Sequence, residues 1–348
     1  MTSGCRIITA PIPLPRSRQA LYLILAILLL LPLQSQPATL KIATLAPDGT
    51  SWMKAMRSGA REIAERTEGR VKLRFYPGGV MGNDRSVLRK IRIGQLHGGA
   101  VTVGSLIPIY PDIQIYSLPF LFSSFGEVDY IRQRMDPIII FGLRERGFIS
   151  YGLSEGGFAY LMSQAPLLSV EDLRRQKVWS PEGDIVAYAA FEAIGVSPIP
   201  LPLTDVLTGL QTGLINTVVN SPIATIALQW HTRVNHFADI PLLYLYGTLV
   251  IKERALHKLS TQDRAILKEV MEERFQQING QSRRDNLNAQ EALKRQGITF
   301  NSPSRDQMTE WRMYINQAIK KLRNRNGFSI KLLEKLQDHL ETFRARKQ

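Results

Sequence analysis

Thr39-Leu40-Lys41-Ile42-Ala43-Thr44-Leu45 alternates apolar and polar side chains, the period-two signature of a half-buried strand. Ala46-Pro47-Asp48-Gly49 breaks it. Thr50 or Ser51 is placed to cap a helix that carries Trp52, Met56, Ala60 and Ile63 on one face, which makes Trp52 a helix core residue. Gly69 stops that helix, and Val71 to Tyr76 reads as a second strand closed by Pro77-Gly78-Gly79. Asp84 to Ile93 is a helix with Gly94 as its C-terminal stop, and Ala100 to Val103 is a short buried strand. The order is β-α-β-α-β, which argues for the α/β class, a parallel sheet with helices on its faces.

A second α/β block follows. Ile149 to Leu153 and Ala159 to Ser163 read as strands, Val170 to Leu173 as a helical turn, and Lys177 to Trp179 as a strand. Ile185 to Ile194 has helical spacing, Pro198 to Pro202 is extended, Val206 to Thr212 is helical, and Leu214 to Val219 is again a strand. Ala238 to Ile251 reads as extended, Asp263 to Gln296 as one long helix, and Ile298 to Phe300 as a last short strand before two closing helices.

The N-terminus has a different character. Arg6, Arg16 and Arg18 precede the uncharged run Ala20 to Leu33. That is the positive and then apolar pattern of a signal peptide, and the run is shorter than the ~20 residues needed to span a bilayer. Residues 1–37 are therefore read as a signal peptide or an N-terminal anchor, with the remaining chain outside the cytoplasm, in the periplasm. Cys5, the only cysteine, precedes the apolar run, so it is no lipoprotein attachment site and leaves the rest of the chain without disulfides or cysteine-based zinc sites. The formal net charge is +14, but bases are interleaved with acids along helices, as in Arg61-Glu62 and Lys268-Glu269. No aromatic-interleaved basic stripe is present, which argues against a nucleic-acid partner.

Enzyme signatures are missing. Gly78-Gly79 and Gly98-Gly99 lack the spacing and the following Lys-Ser/Thr of a phosphate loop. There is no Gly-x-Ser-x-Gly elbow. The five histidines form no metal-ligand pair with neighbouring carboxylates, and the acids are scattered along helices without an evident catalytic pair. Nothing calls for a cofactor or a metal.

Positive evidence comes from short stretches in series: Tyr76-Pro77-Gly78-Gly79-Val80-Met81-Gly82-Asn83-Asp84-Arg85, Ser117-Leu118-Pro119-Phe120, Glu171-Asp172-Leu173 with Lys177-Val178, Ala193-Ile194-Gly195 with Pro198, and Leu210-Gln211-Thr212-Gly213-Leu214-Ile215-Asn216 followed by Asn220. In order and spacing this resembles the DctP-type substrate-binding proteins of tripartite ATP-independent periplasmic (TRAP) transporters, from about Leu40 to Val270. The resemblance implies a two-lobed periplasmic solute-binding protein with hinge strands and a long bracing helix, closing on a small-molecule ligand without catalysis. It implies one lobe from 39–160 plus 252–348 and another from 161–251. It implies TRAP membrane permease subunits as partners, and, in one subgroup associated with hydrophobic ligands, a tetratricopeptide-repeat protein.

The departures from the family pattern concern the ligand. Family members carry an arginine, two residues after the lysine of the "KxR" strand, that clamps a substrate carboxylate with its planar fork. Here that position is Trp179. A second basic position falls on Ala159, the usual pocket aromatic on Leu203, and the loop after the third strand offers Thr102. Asn220 occupies a family ligand position, and Glu155 precedes Gly156-Gly157, where a backbone could approach a ligand. The expected ligand residues are thus Trp179, Asn220, Ala159, Leu203, Thr102 and Glu155. With no cation at the clamp position, the expected ligand is apolar or amphipathic, received on the indole face and its N–H. The alternatives are a carboxylate ligand held by a displaced clamp, Arg174 or Arg175, and a lipid carrier or sensory binding protein on the same fold.

Overall fold

Among the described residues ten strands carry the architecture: β1 (Ala38–Thr44), β2 (Val71–Tyr76), β3 (Gly98–Thr102), β4 (Phe148–Ser163), β5 (Trp179–Pro181), β6 (Ile199–Leu201), β7 (Thr217–Asn220), β8 (His236–Ala238), β9 (Leu243–Lys252) and β10 (Thr299–Asn301). The computed structural model describes residues 37–324 and 329–346. The leader read at residues 1–37 lies, but for Pro37, outside them.

β1 pairs in parallel with β2 and β3, as the opening alternation requires, with Leu40 and Ile42 buried. The connecting helices begin where side chains satisfy the free N–H groups of the first turn: Thr50 accepts from Met53 N, and Asn83 from Ser86 N. β9 runs antiparallel to β3, and β4 antiparallel to β9. β4 then continues into pairs with β7 and β8, and β10 closes that edge. β5 and β6 form a separate parallel pair, joined through Val178 to Thr217.

The two strands expected within 149–163 are one strand of 16 residues. It passes from the first lobe to the second, bent by register shifts between Ser150 and Leu153 and between Glu155 and Gly157. Gly157 sits at φ +88°, and a Cβ there would stand 2.6 Å from Asn286 Nδ2. Only glycine fits this bend.

The helix Thr261–Arg295 spans 35 residues and serves both lobes. Its first half buries Leu267, Val270 and Phe275 among Met53, Met56 and Ile63, and its far end buries Leu293 beside Trp230 and Phe237. The assignment of all of 252–348 to the first lobe needs correction. β10 pairs with β8, and Trp311 packs with Leu167, Val170 and Phe191, so 299–324 completes the second lobe. The helix Ile330–Ala345 returns to the first, setting Leu333, Leu336 and Leu340 against Val128, Ile131 and Met135 of the helix Phe125–Glu145. Among the described residues no helix is long and apolar enough to cross a membrane.

Candidate functional site

A cavity of about 1120 Å³ lies between the lobes. The first lobe supplies Leu45, Ala46 and Pro47 from the loop after β1, with Trp52 and Thr102; the second supplies Trp179, Phe191, Leu203 and Asn220; Trp311 joins them from the helix Arg305–Asn324. The lobes touch across this space where Arg85 Nη1 stands 3.0 Å from Glu182 Oε1.

Of the six residues expected to meet ligand, five line this cavity: Thr102, Glu155, Trp179, Leu203 and Asn220. Each is already partly engaged. The Trp179 indole stands edge-on to Trp230 at 5.2 Å, and its Nε1 donates to Leu201 O at 3.0 Å. It is buried in the second lobe's core at 3% exposure and gives the cavity only an apolar edge, so the expected N–H donor is not available to a ligand. Asn220, at the end of β7, uses Oδ1 to accept from Ser221 N at 2.8 Å, leaving its amide nitrogen without a partner among the described residues. Thr102 donates from N (2.9 Å) and Oγ1 (2.7 Å) to Asp84 Oδ2.

The Glu155 carboxylate is bound from behind the wall by Arg283 Nε at 2.9 Å, Arg283 Nη2 at 2.8 Å and the Tyr244 hydroxyl at 3.0 Å. It therefore serves the hinge, and its carboxylate is not free for a ligand. Ala159 is corrected: it is fully buried opposite Leu243 in the β4–β9 ladder and is not among the residues of the cavity wall.

The sequence reading missed three features. Trp52 packs against the core as read but also lines the cavity, its Nε1 donating to Ser154 Oγ at 3.2 Å. Two carboxylates, Asp84 and Asp184, also line the cavity, and neither has a cationic partner among the described residues. Asp184 caps the helix Ile185–Ala193, accepting from Val186 N and Ala187 N, and it faces Gly104 of the opposite lobe. Burial pushes its carboxyl up, partly offset by those two N–H groups. Asp84 is raised by burial too, against the lowering effect of Thr102, and its Oδ1 is buried without a partner. The third feature is basic: Arg85, Arg89 and Arg92 line the wall from one helix. Arg174 and Arg175 do not. Arg174 bonds Ile194 O and Glu171, Arg175 pairs with Glu171, and neither lines the cavity. Among the described residues no group of three or more metal-ligating side chains is assembled.

Asp84 yields a pH prediction. Its folded pKa lies above its unfolded one, so its stabilising contribution is full below the ordinary carboxylate range and is lost as pH climbs through the raised folded value. Asp84→Asn keeps an acceptor for Thr102 and removes the titration. Urea midpoints measured from about pH 3 to pH 7 are expected to shift in the variant's favour as pH rises. A constant difference across that range would mean that burial does not penalise the Asp84 charge.

The comparisons with known proteins agree with this geometry. The sequence model of bacterial extracellular solute-binding protein, family 7 (DctP), matches residues 42–326. The C4-dicarboxylate-binding periplasmic protein DctP of Rhodobacter capsulatus is 21% identical over 308 residues, covering 87% of this chain and 92% of its own. Among solved structures, the sugar acid binding protein DctPAm from Advenella mimigardefordensis, in complex with galactonate, superposes with a TM-score of 0.82 at 17% identity over 88% of this chain and 99% of its own. A TRAP periplasmic solute binding protein from Desulfovibrio salexigens with bound orotic acid gives a TM-score of 0.81 at 17% identity, over 88% and 99%. With the family match covering most of the chain, and the two lobes and their shared cavity in place, the chain belongs to bacterial extracellular solute-binding protein family 7, the DctP family of TRAP-type solute-binding proteins.

Proposed function

We propose that this chain is the periplasmic binding subunit of a TRAP transporter for an apolar or amphipathic small molecule, which it encloses between its lobes and delivers to the membrane permease subunits. A tetratricopeptide-repeat partner belongs to the same reading. The observation that carries it is the apolar residue at the clamp position. The residue at the clamp position is Trp179, whose donor is spent on Leu201, and two wall carboxylates, Asp84 and Asp184, have no cation beside them. A small acid held at the Trp179 position would lose its hydration with no cation against it there, at a cost of several kcal/mol. An apolar body instead gains about 25 cal/mol for each Å² it buries against Trp52, Trp179, Leu203 and Phe191.

Native mass spectrometry of protein purified from its own periplasm, followed by extraction, tests the reading. The expected adduct is an aliphatic, aromatic or long-chain molecule. Recovery of a small polar dicarboxylate or sugar acid would overturn it.

A further inference from the structure

The cations of the cavity wall are not equivalent. Arg85 is paired with Glu182, and Arg284 Nη2 donates to Gln281 Oε1 at 2.6 Å. Arg89 and Arg92 have no partner among the described residues, although both line the cavity. They stand three residues apart on the helix Asp84–Arg92, which sets them side by side on one face. The intervening Lys90 is turned away to donate to Met81 O at 2.8 Å. Leu88 gives the same wall an apolar neighbour.

An exposed arginine row is ordinarily only a solvated helix face. This one differs in two respects. It borders the cavity between the lobes, and it holds the unengaged guanidiniums of a wall whose other lining cations are occupied. The carboxylates of the same wall, Asp84 and Asp184, stand at Thr102 and Gly104. The space is thus polarised, with free cations along one helix face and uncompensated anions at the turn after β3.

We infer that Arg89 and Arg92 form a headgroup site, taking the anionic end of an amphipathic ligand whose apolar body lies against Trp179 and its neighbours. Two planar forks in register suit a carboxylate, sulfonate or phosphate. The anionic end is kept at the arginines because the Asp84 and Asp184 carboxylates repel it from the turn after β3. This orientation separates the anion from the Trp179 position, where the family resemblance expects it. The inference rests on the apolar-cavity reading above, and the test keeps the two apart.

The probes are the n-alkanoates from hexanoate to palmitate and the matching n-alkanols, titrated calorimetrically into the exported full chain and into Arg89→Gln/Arg92→Gln. Both positions are exposed, so the variant is expected to fold normally. The wild type is expected to favour alkanoate over the matching alkanol by about tenfold, roughly 1.4 kcal/mol, falling with added salt. The double variant is expected to lose that preference and keep its alkanol affinity. Alkanol binding with no alkanoate preference, or a preference untouched by the double substitution, would overturn the headgroup site while leaving the apolar cavity standing. Failure of both probe series to bind the wild type would overturn the apolar reading and the headgroup site with it.

Discussion

Glu155→Ala is expected to lower the stability of the chain by about 2–3 kcal/mol, the cost of removing a buried acceptor of charge-assisted hydrogen bonds. The Glu155 side chain is fully buried and meets Arg283 twice, Tyr244 once, and Arg132 Nη1 at 3.8 Å. Arg132 is itself 8% exposed and reaches Leu153 O at 2.7 Å and Asp136 at 2.9 Å. Arg283 keeps a second anion in Asp129 at 2.6 Å and Arg132 keeps Asp136 at 2.9 Å, so the loss falls on the two Arg283 bonds and the Tyr244 hydroxyl that Glu155 alone accepts. The four residues come from β4, the long helix, the helix Phe125–Glu145 and β9, so removing the carboxylate loosens the junction between lobes as well. Equilibrium urea unfolding measures the loss. Glu155→Gln, which retains an acceptor for Tyr244, is expected to lose less. A change under about 1 kcal/mol in the alanine variant would show the network to be no stronger than a surface pair.

Gly157→Ala should cost about 2–5 kcal/mol and impair closure. The φ of +88° carries a penalty of about 1–2 kcal/mol for any residue with a Cβ. The new methyl would also press into Asn286 Nδ2, and this overpacking adds about 1–3 kcal/mol. Asn286 cannot yield freely: its Nδ2 donates to Gly156 O at 3.0 Å and Ser282 O at 2.9 Å, and its Oδ1 accepts from Ile223 N at 3.2 Å. Gly183→Ala supplies the control, because Gly183 has φ +85° with nothing within 4 Å of a Cβ. The difference between the two variants in urea unfolding isolates the contact at the bend. Equal losses would mean that Asn286 moves aside without cost.

The alternation of the opening strands, the glycine stops and the long helix were legible from residues 39–103 and 261–295 because each rests on local chemistry. The helix Phe125–Glu145 was not read, since Pro137 and the run Ile138-Ile139-Ile140 argue locally against a helix. Its start was nevertheless written in Ser124 and Glu127: Ser124 caps the helix by accepting from Glu127 N. The site was legible only by motif. Trp179 and Asn220 follow from position in a pattern, whereas Ala159 fails because strand alignment does not say which methyl faces the cleft. Trp52 shows the same limit, as one helical period serves a core face and a cavity wall equally. Asp84 and Asp184 acquire meaning only when loops distant in the chain meet across the cleft.

Neither lobe is complete until the end of the chain has been made. The edge strand Thr299–Asn301 and the helix Arg305–Asn324 finish the second lobe, and only then does Ile330–Ala345 cover the apolar face of the first. A nascent chain that has emerged as far as β9 therefore holds two unfinished cores, with sequence-distant partners still to come. Order of synthesis thus places the contacts that complete both cores in the last stretch of translation.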